Sequence, residues 1–186
     1  FIKEKMSNHL LRLTIGIHAY NEAKNIRNLL EDVLSQKQDN FIIKEIIVVS
    51  DGSTDKTVEV AKSLKDPLIK VIETKNRLGQ QVRQNQIVSL FKGDILIIIE
   101  ADTLLSTNKT INALVTPFLE NKNFQLGMVT GQAVSFSTKT LVEKIETHGM
   151  NIKNNIFSEW KRGDNVDMTS GHAMKALSRK FTEKLV

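Results

Sequence analysis

The stretch that decides the fold is "IIVVSDGSTDKT", Ile46 to Thr57. Its branched apolar residues run without a polar interruption and then stop at Ser50 and Asp51. A strand with one face in water alternates; an unbroken apolar run suits a strand buried on both faces. The Asp51-Gly52-Ser53-Thr54 that follows is turn and helix-entry chemistry. Val58, Ala61 and Leu64 then recur at helical spacing until Asp66-Pro67 ends the segment. One strand, a tight acidic turn and one helix are written in this single stretch.

Working outward, the same unit repeats. Upstream, Leu13 to Ile17 reads as a strand running into "HAYNEAKN", after which Ile26, Leu29, Leu30, Val33 and Leu34 fall on one helical face. This helix is expected to start near Asn21, as its cap, with Glu22 in the first turn. The second strand is expected over Ile43 to Val49 and a third over Ile69 to Ile72. Gly79 opens a helix with Val82, Ile87, Val88 and Phe91 inward, closed by Gly93. Asp94 to Ile99 is a fourth strand, and it ends in Glu100-Ala101-Asp102. Strands alternating with crossover helices predict an α/β fold with a mostly parallel, Rossmann-like central sheet flanked by helices.

Beyond it the pattern loosens. Asn108 to Leu119 reads as a helix bent or ended by Pro117. "GMVTGQAVSF" reads as one or two strands. Leu141 to Trp160 reads as a longer helix with Leu141, Val142, Ile145, Ile152, Ile156 and Phe157 inward, and "MTSGHAMKALSRKF" as a strand entering a short helix.

With 186 residues, 40% of them hydrophobic and 25% charged, the chain suits one globular domain. No apolar run approaches the roughly 18 residues of a membrane helix, and "FIKEKMSNHLLRL" lacks the features of a signal peptide. Cysteine is absent, which excludes disulfides, thiolate metal sites and a cysteine nucleophile; the cytoplasm is the simplest setting. The net charge of +5 is scattered, with no basic–aromatic interleaving, so nucleic acid is not an expected partner.

In open parallel sheets, ligands bind outside the carboxyl ends of the strands. Asp51, Glu100 and Asp102 all fall on that rim, where their mutual repulsion is unfavourable unless a cation offsets it. Carboxylate oxygens suit a hard ion, Mg²⁺ or Mn²⁺, which would also hold a diphosphate. Alternate positions are expected to put the Glu100 and Asp102 carboxylates on the same side of the strand end. Each piece also has a bland reading. Asp51-Gly52-Ser53 is turn chemistry, Asn21-Glu22 a helix cap, Glu100-x-Asp102 a solvated strand end and His18 a satisfied polar residue.

Taken in order, "IHAYNE", "VVSDGSTDKT", "NRLGQQVRQNQ" and "DILIIIEADT" resemble the family-2 glycosyltransferases, which have the GT-A fold. The resemblance covers roughly Leu13 to Phe181. It implies a single GT-A domain: residues 1–12 an N-terminal extension, 13–106 the nucleotide-binding half and 107–186 the start of the acceptor half. It implies transfer of a sugar from a nucleotide-diphosphate donor, UDP-linked by preference, to a polysaccharide or lipid-linked glycan, with Mg²⁺ or Mn²⁺ and with inversion. Residue by residue, His18, Ala19, Tyr20, Asn21 and Glu22 fall beside the base and ribose, and Asp51 accepts a hydrogen bond from the base. Gly79, Arg83 and Asn85 lie near the donor, with Arg83 a phosphate contact. Glu100-Ala101-Asp102 matches the DXD motif: Asp102 binds the metal and Glu100 reaches ribose or metal. Ser170, Gly171 and His172 fall in the segment where donor sugar meets acceptor.

Two departures stand out. His18 replaces a proline or threonine, and Glu100 replaces the more usual first aspartate. The family's "ED"-like catalytic base, which would lie some tens of residues beyond the Ser170-Gly171 segment, and its Q-x-x-R-W motif are not reached before Val186. With Phe1 in place of Met, this reads as a piece of a longer protein whose base lies past Val186. The piece alone is then expected to bind a donor but transfer little sugar. Membrane contact, at a cytoplasmic face, is expected through other parts of that protein. A nucleotide-sugar sensor without catalysis is the alternative. A sugar-nucleotide pyrophosphorylase would need a Gly-rich signature near the first strand, and a dinucleotide-dependent enzyme G-x-G-x-x-G; neither is present.

Overall fold

The computed structural model describes residues 10–120, 126–131, 140–141, 144–145, 147 and 174–184. Four strands build the parallel part of the sheet: β1 (Leu11–Ala19), β2 (Phe41–Asp51), β3 (Ile69–Thr74) and β4 (Ile95–Glu100). Between them lie α1 (Ile26–Leu34), α2 (Thr57–Ser63) and α3 (Gln80–Leu90). Then follow α4 (Thr110–Glu120), β5 (Met128–Thr130), β6 (Met174–Ser178) and the short α5 (Arg179–Thr182). The strand order is β3-β2-β1-β4-β6-β5. β6 runs antiparallel to β4, and β5 antiparallel to β6.

The unbroken apolar strands are explained by the two faces they serve. Leu13, Ile15 and Ile17 of β1, Ile46 and Val48 of β2, and Ile97 and Ile99 of β4 join the apolar faces of α1 and α4 in one core. Ile47, Val49, Leu96 and Ile98 meet Ile87 and Phe91 on the other side. α3 lies close to the sheet because β1 has a glycine beneath it. A Cβ on Gly16 would come 2.4 Å from Cγ2 of Ile87. The chain enters α3 through Gly79, whose φ of 93° suits glycine.

Several elements depart from the sequence expectation. The parallel strands reach their polar ends because pairing continues there: Ser50 pairs with Glu73 and Asp51 with Thr74. α1 begins at Ile26, not near Asn21. Asn21 has φ 57°, a left-handed conformation that cannot open a helix, and its Oδ1 accepts from Thr54 N at 2.8 Å. Val82 is 44% exposed, while Arg83 and Gln84 join Ile87 in inward positions of α3; Arg83 is held there by Asp51 at the end of β2. Pro117 lies inside α4, which continues to Glu120 because Val115 and Phe118 anchor it in the core on either side. Leu141 and Ile145, expected inward, are exposed. The rest of that expected helix, and residues 132–136 of the expected strands, lie outside the described residues. Among the described residues no helix is long and apolar enough to cross a membrane.

Candidate functional site

The carboxyl ends of β2, β1 and β4 lie side by side, since Ala19 pairs with Ser50 and His18 with Glu100. At the β2 end, Asp51 is 4% exposed. Its Oδ1 accepts from Leu78 N at 2.8 Å and from Arg83 Nε at 2.7 Å, and its Oδ2 from Gly79 N at 2.8 Å. Burial by itself would raise the Asp51 carboxyl; the bonds from Leu78, Arg83 and Gly79 outweigh it and hold the group below its ordinary value. Asp51 therefore organises the loop between β3 and α3. Gly52, with φ 69°, lets that loop close, because a Cβ there would lie 2.8 Å from Arg77 N.

This geometry changes the expectation for Arg83. Its side chain is 7% exposed, and besides Asp51 it serves Asn76 O through Nη2 at 2.6 Å and Gln86 Oε1 through Nη1 at 3.1 Å. With Nε, Nη1 and Nη2 each already given to an acceptor, this guanidinium serves as a support for Asp51 and its loop. The sequence pattern cannot distinguish the two, because both place an arginine in the first turns of the same helix.

At the β1 end the loop 20–25 is stitched to the loop after β2. Asn21 N donates to Ser53 Oγ at 3.1 Å, Glu22 N to Thr57 Oγ1 at 2.7 Å and Ala23 N to Asp55 Oδ2 at 3.1 Å. Asp55 also accepts from the backbone and hydroxyl of Thr57. Its carboxyl, which burial would raise, is held low by those Thr57 and Ala23 bonds. Asp55 was not singled out from the sequence; the signal for it was an acid two residues ahead of the buried Thr57 that opens α2. Glu22 Oε2 accepts from Asn25 Nδ2 at 2.7 Å. Tyr20 is half-buried, and the Arg77 guanidinium lies 3.9 Å from its ring centre.

β4 stops at Glu100, and Ala101 and Asp102 form a turn closed by Thr103 N donating to Glu100 O at 3.1 Å. Strand alternation therefore does not set the relation between the carboxylates. Glu100 is half-buried and accepts from Gln80 Nε2 at 3.1 Å; Ala101 is buried; Asp102 is exposed, with no hydrogen bond from another described residue. His18 lies opposite Glu100, and its Nδ1 is buried with no hydrogen-bond partner among the described residues, unlike the satisfied polar residue of the bland reading. Burial lowers its pKa, against the opposing pull of Glu100; Lys175 lowers it further, while Asp102 and Asp51 also oppose. Ser170, Gly171 and His172 lie outside the described residues.

Among the described residues no group of three or more histidine, aspartate or glutamate side chains encloses a metal position. Asp102 and Glu100 are nonetheless a suitable donor set for an ion that takes its remaining oxygens from water and substrate. Mg²⁺ is bound in this way by one or two carboxylates plus phosphate oxygens.

Comparison with known proteins agrees with this architecture. The family described as Glycosyl transferase family 2 matches residues 14–186. Poly-beta-1,6-N-acetyl-D-glucosamine synthase of Staphylococcus aureus (strain COL) is 30% identical over 141 residues, 73% of this chain and 32% of that protein. Glycosyltransferase GlyG of Streptococcus pneumoniae serotype 4 is 29% identical over 98 residues, 52% of this chain and 32% of the relative. The chain spans about a third of the length of these curated relatives. Among solved structures, a Pyrobaculum calidifontis mannosyltransferase in complex with GDP-Man and Mn²⁺ superposes with a TM-score of 0.65 at 21% identity, covering 95% of this chain and 47% of that one. Glucosyl-3-phosphoglycerate synthase of Mycobacterium tuberculosis with UDP gives 0.59 at 19%, covering 91% and 57%. At these identities the likeness shows the fold alone, which is GT-A. With its family pattern matched from the first strand onward, this chain belongs to glycosyl transferase family 2.

Proposed function

We propose that the chain is the donor-binding part of a metal-assisted glycosyltransferase that takes a nucleotide-diphosphate sugar, UDP-linked, and delivers the sugar to a polysaccharide or lipid-linked glycan with inversion. One observation carries the reading: the ends of three adjacent strands converge on a rim that offers a fixed carboxylate at Asp51 and a second acidic pair at Glu100 and Asp102. A poly-GlcNAc synthase among the relatives, and neighbours solved with GDP-Man and Mn²⁺ or with UDP, support its coarser part, a nucleotide-sugar donor used with a divalent ion.

Asp51 has its orientation set by the loop, and Oδ2, with a single donor among the described residues, keeps a lone pair for the imide N–H of uracil. His18, Ala19, Tyr20 and Glu22 border the base and ribose; Gly79 and Arg83 hold the loop and carboxylate in place. Asp102, with Glu100 beside it, would hold Mg²⁺ or Mn²⁺. When bound, that ion offsets charge on the departing diphosphate. The direct test is calorimetry of UDP, CDP and GDP with and without Mn²⁺. Binding of UDP that depends on Mn²⁺ and exceeds that of CDP is expected. Equal, metal-independent binding of all three would defeat the reading.

A further inference from the structure

We propose that Arg77 meets the donor's α-phosphate, a part that the family resemblance gives to Arg83. The inference rests on the donor-binding reading above.

The rim has a definite order. Asp51 ends β2, Tyr20 follows β1 in the middle, and Glu100 ends β4. Neighbouring strands are about 4.8 Å apart, so the two acidic ends are roughly 10 Å apart. A nucleotide with its base at Asp51 and its diphosphate at Glu100 and Asp102 crosses the end of β1 with its ribose and first phosphate. Arg77 reaches the end of β1 from the loop beside Gly52, with its guanidinium 3.9 Å from the Tyr20 ring centre.

Arg77 is exposed, and among the described residues no carboxylate lies within ion-pair distance of it and no acceptor holds its N–H groups. Arg83, by contrast, is enclosed by Asp51, Asn76 and Gln86. Stacking engages the face of the guanidinium and leaves its N–H edges open, the geometry that receives a phosphate through paired charge-assisted hydrogen bonds. The backbone beneath it is fixed as well. Gly52 packs against Arg77 N, and Asp51 holds the amides of Leu78 and Gly79. A cation held in this way loses little freedom on binding. It also answers a charge problem, because the rim is already acidic before a diphosphate arrives.

The experiment measures uridine, UMP and UDP, each with Mn²⁺, against wild type, Arg77→Ala and Arg77→Lys, by calorimetry and, for uridine, ligand-observed NMR. Arg77→Ala is expected to weaken UMP and UDP by roughly 10- to 100-fold, to leave uridine unchanged, and to keep the wild-type melting temperature. Arg77→Lys should recover part of the loss, since it restores charge without the fork. Unchanged UDP affinity in Arg77→Ala would overturn the proposal. So would an equal loss for uridine and UDP, which would place the side chain on the base. If wild type binds none of the three, the donor-binding reading itself falls, and this proposal with it.

Discussion

Removing the Asp51 carboxylate leaves the Arg83 guanidinium buried without its counter-charge. Breaking one side of a buried pair typically costs about 3–5 kcal/mol, whereas replacing both partners by apolar groups is often close to neutral. Asp51→Ala should therefore lower stability by that order in chemical denaturation, and Asp51→Ala/Arg83→Met should recover much of it. The double variant also separates the two roles of Asp51. Once stability is restored, UDP should still be weakened and its advantage over CDP narrowed, because the acceptor for the imide N–H is gone. A double variant that regains both stability and full preference for UDP would leave Asp51 with a structural role only. Asp102 stands at the other extreme: it is exposed and holds no other described residue by a hydrogen bond. Asp102→Asn should keep the melting temperature of wild type and abolish the Mn²⁺ dependence of UDP binding. If the mutant retains that dependence, Asp102 is not the metal ligand.

The contact between α3 and the sheet depends on a missing side chain. Gly16 allows Ile87 to lie against β1, and a Cβ would sit 2.4 Å from a methyl of a fully buried, β-branched residue with little rotamer freedom. Gly16→Ala should cost about 1–3 kcal/mol, the usual range for overpacking. Gly16→Ala/Ile87→Ala should lose less than the sum of the two single changes, since each offsets the other's volume error. Additive losses in a double-mutant cycle would show that the close approach has no energetic weight. Because α3 also carries Arg83 and starts at the loop held by Asp51, Gly16→Ala should weaken nucleotide binding although Gly16 touches no part of the rim.

For the molecule as a whole, acid should act through the carboxylates that tie its loops. Asp51 and Asp55 are both held below their ordinary values in the folded chain. The stability they contribute is complete above the unfolded-state value of about 3.9 and disappears as pH falls through the lower folded values. Unfolding free energy should therefore be insensitive to these two groups from neutral pH down to about pH 5 and decline below pH 4. Asp55→Asn should flatten that decline. A decline already complete at pH 5 would point to other groups.

The sequence by itself determined the four parallel strands and their acidic ends, while the strand order and the antiparallel β6 and β5 came from the tertiary structure. The parallel strands, the helices between them and the acidic residues at the strand ends all follow from period, turn chemistry and the order of the motifs, because such signals are local in the chain. Tertiary structure decided what those signals left equivalent. Asn21 as a helix cap and Asn21 as a bridge to Thr54 look the same in sequence; its left-handed backbone and a partner 33 residues away chose the bridge. Arg83 and Arg77 are both basic residues entering α3, and only the position of the Asp51 carboxylate shows which is enclosed and which faces solvent. Val82 follows the apolar pattern of an inward residue, yet the buried Asp51–Arg83 pair rotates α3 so that Val82 faces out. A buried charge needs its partner more than a valine needs the core, and that partner is distant in sequence, so local reading could not supply it.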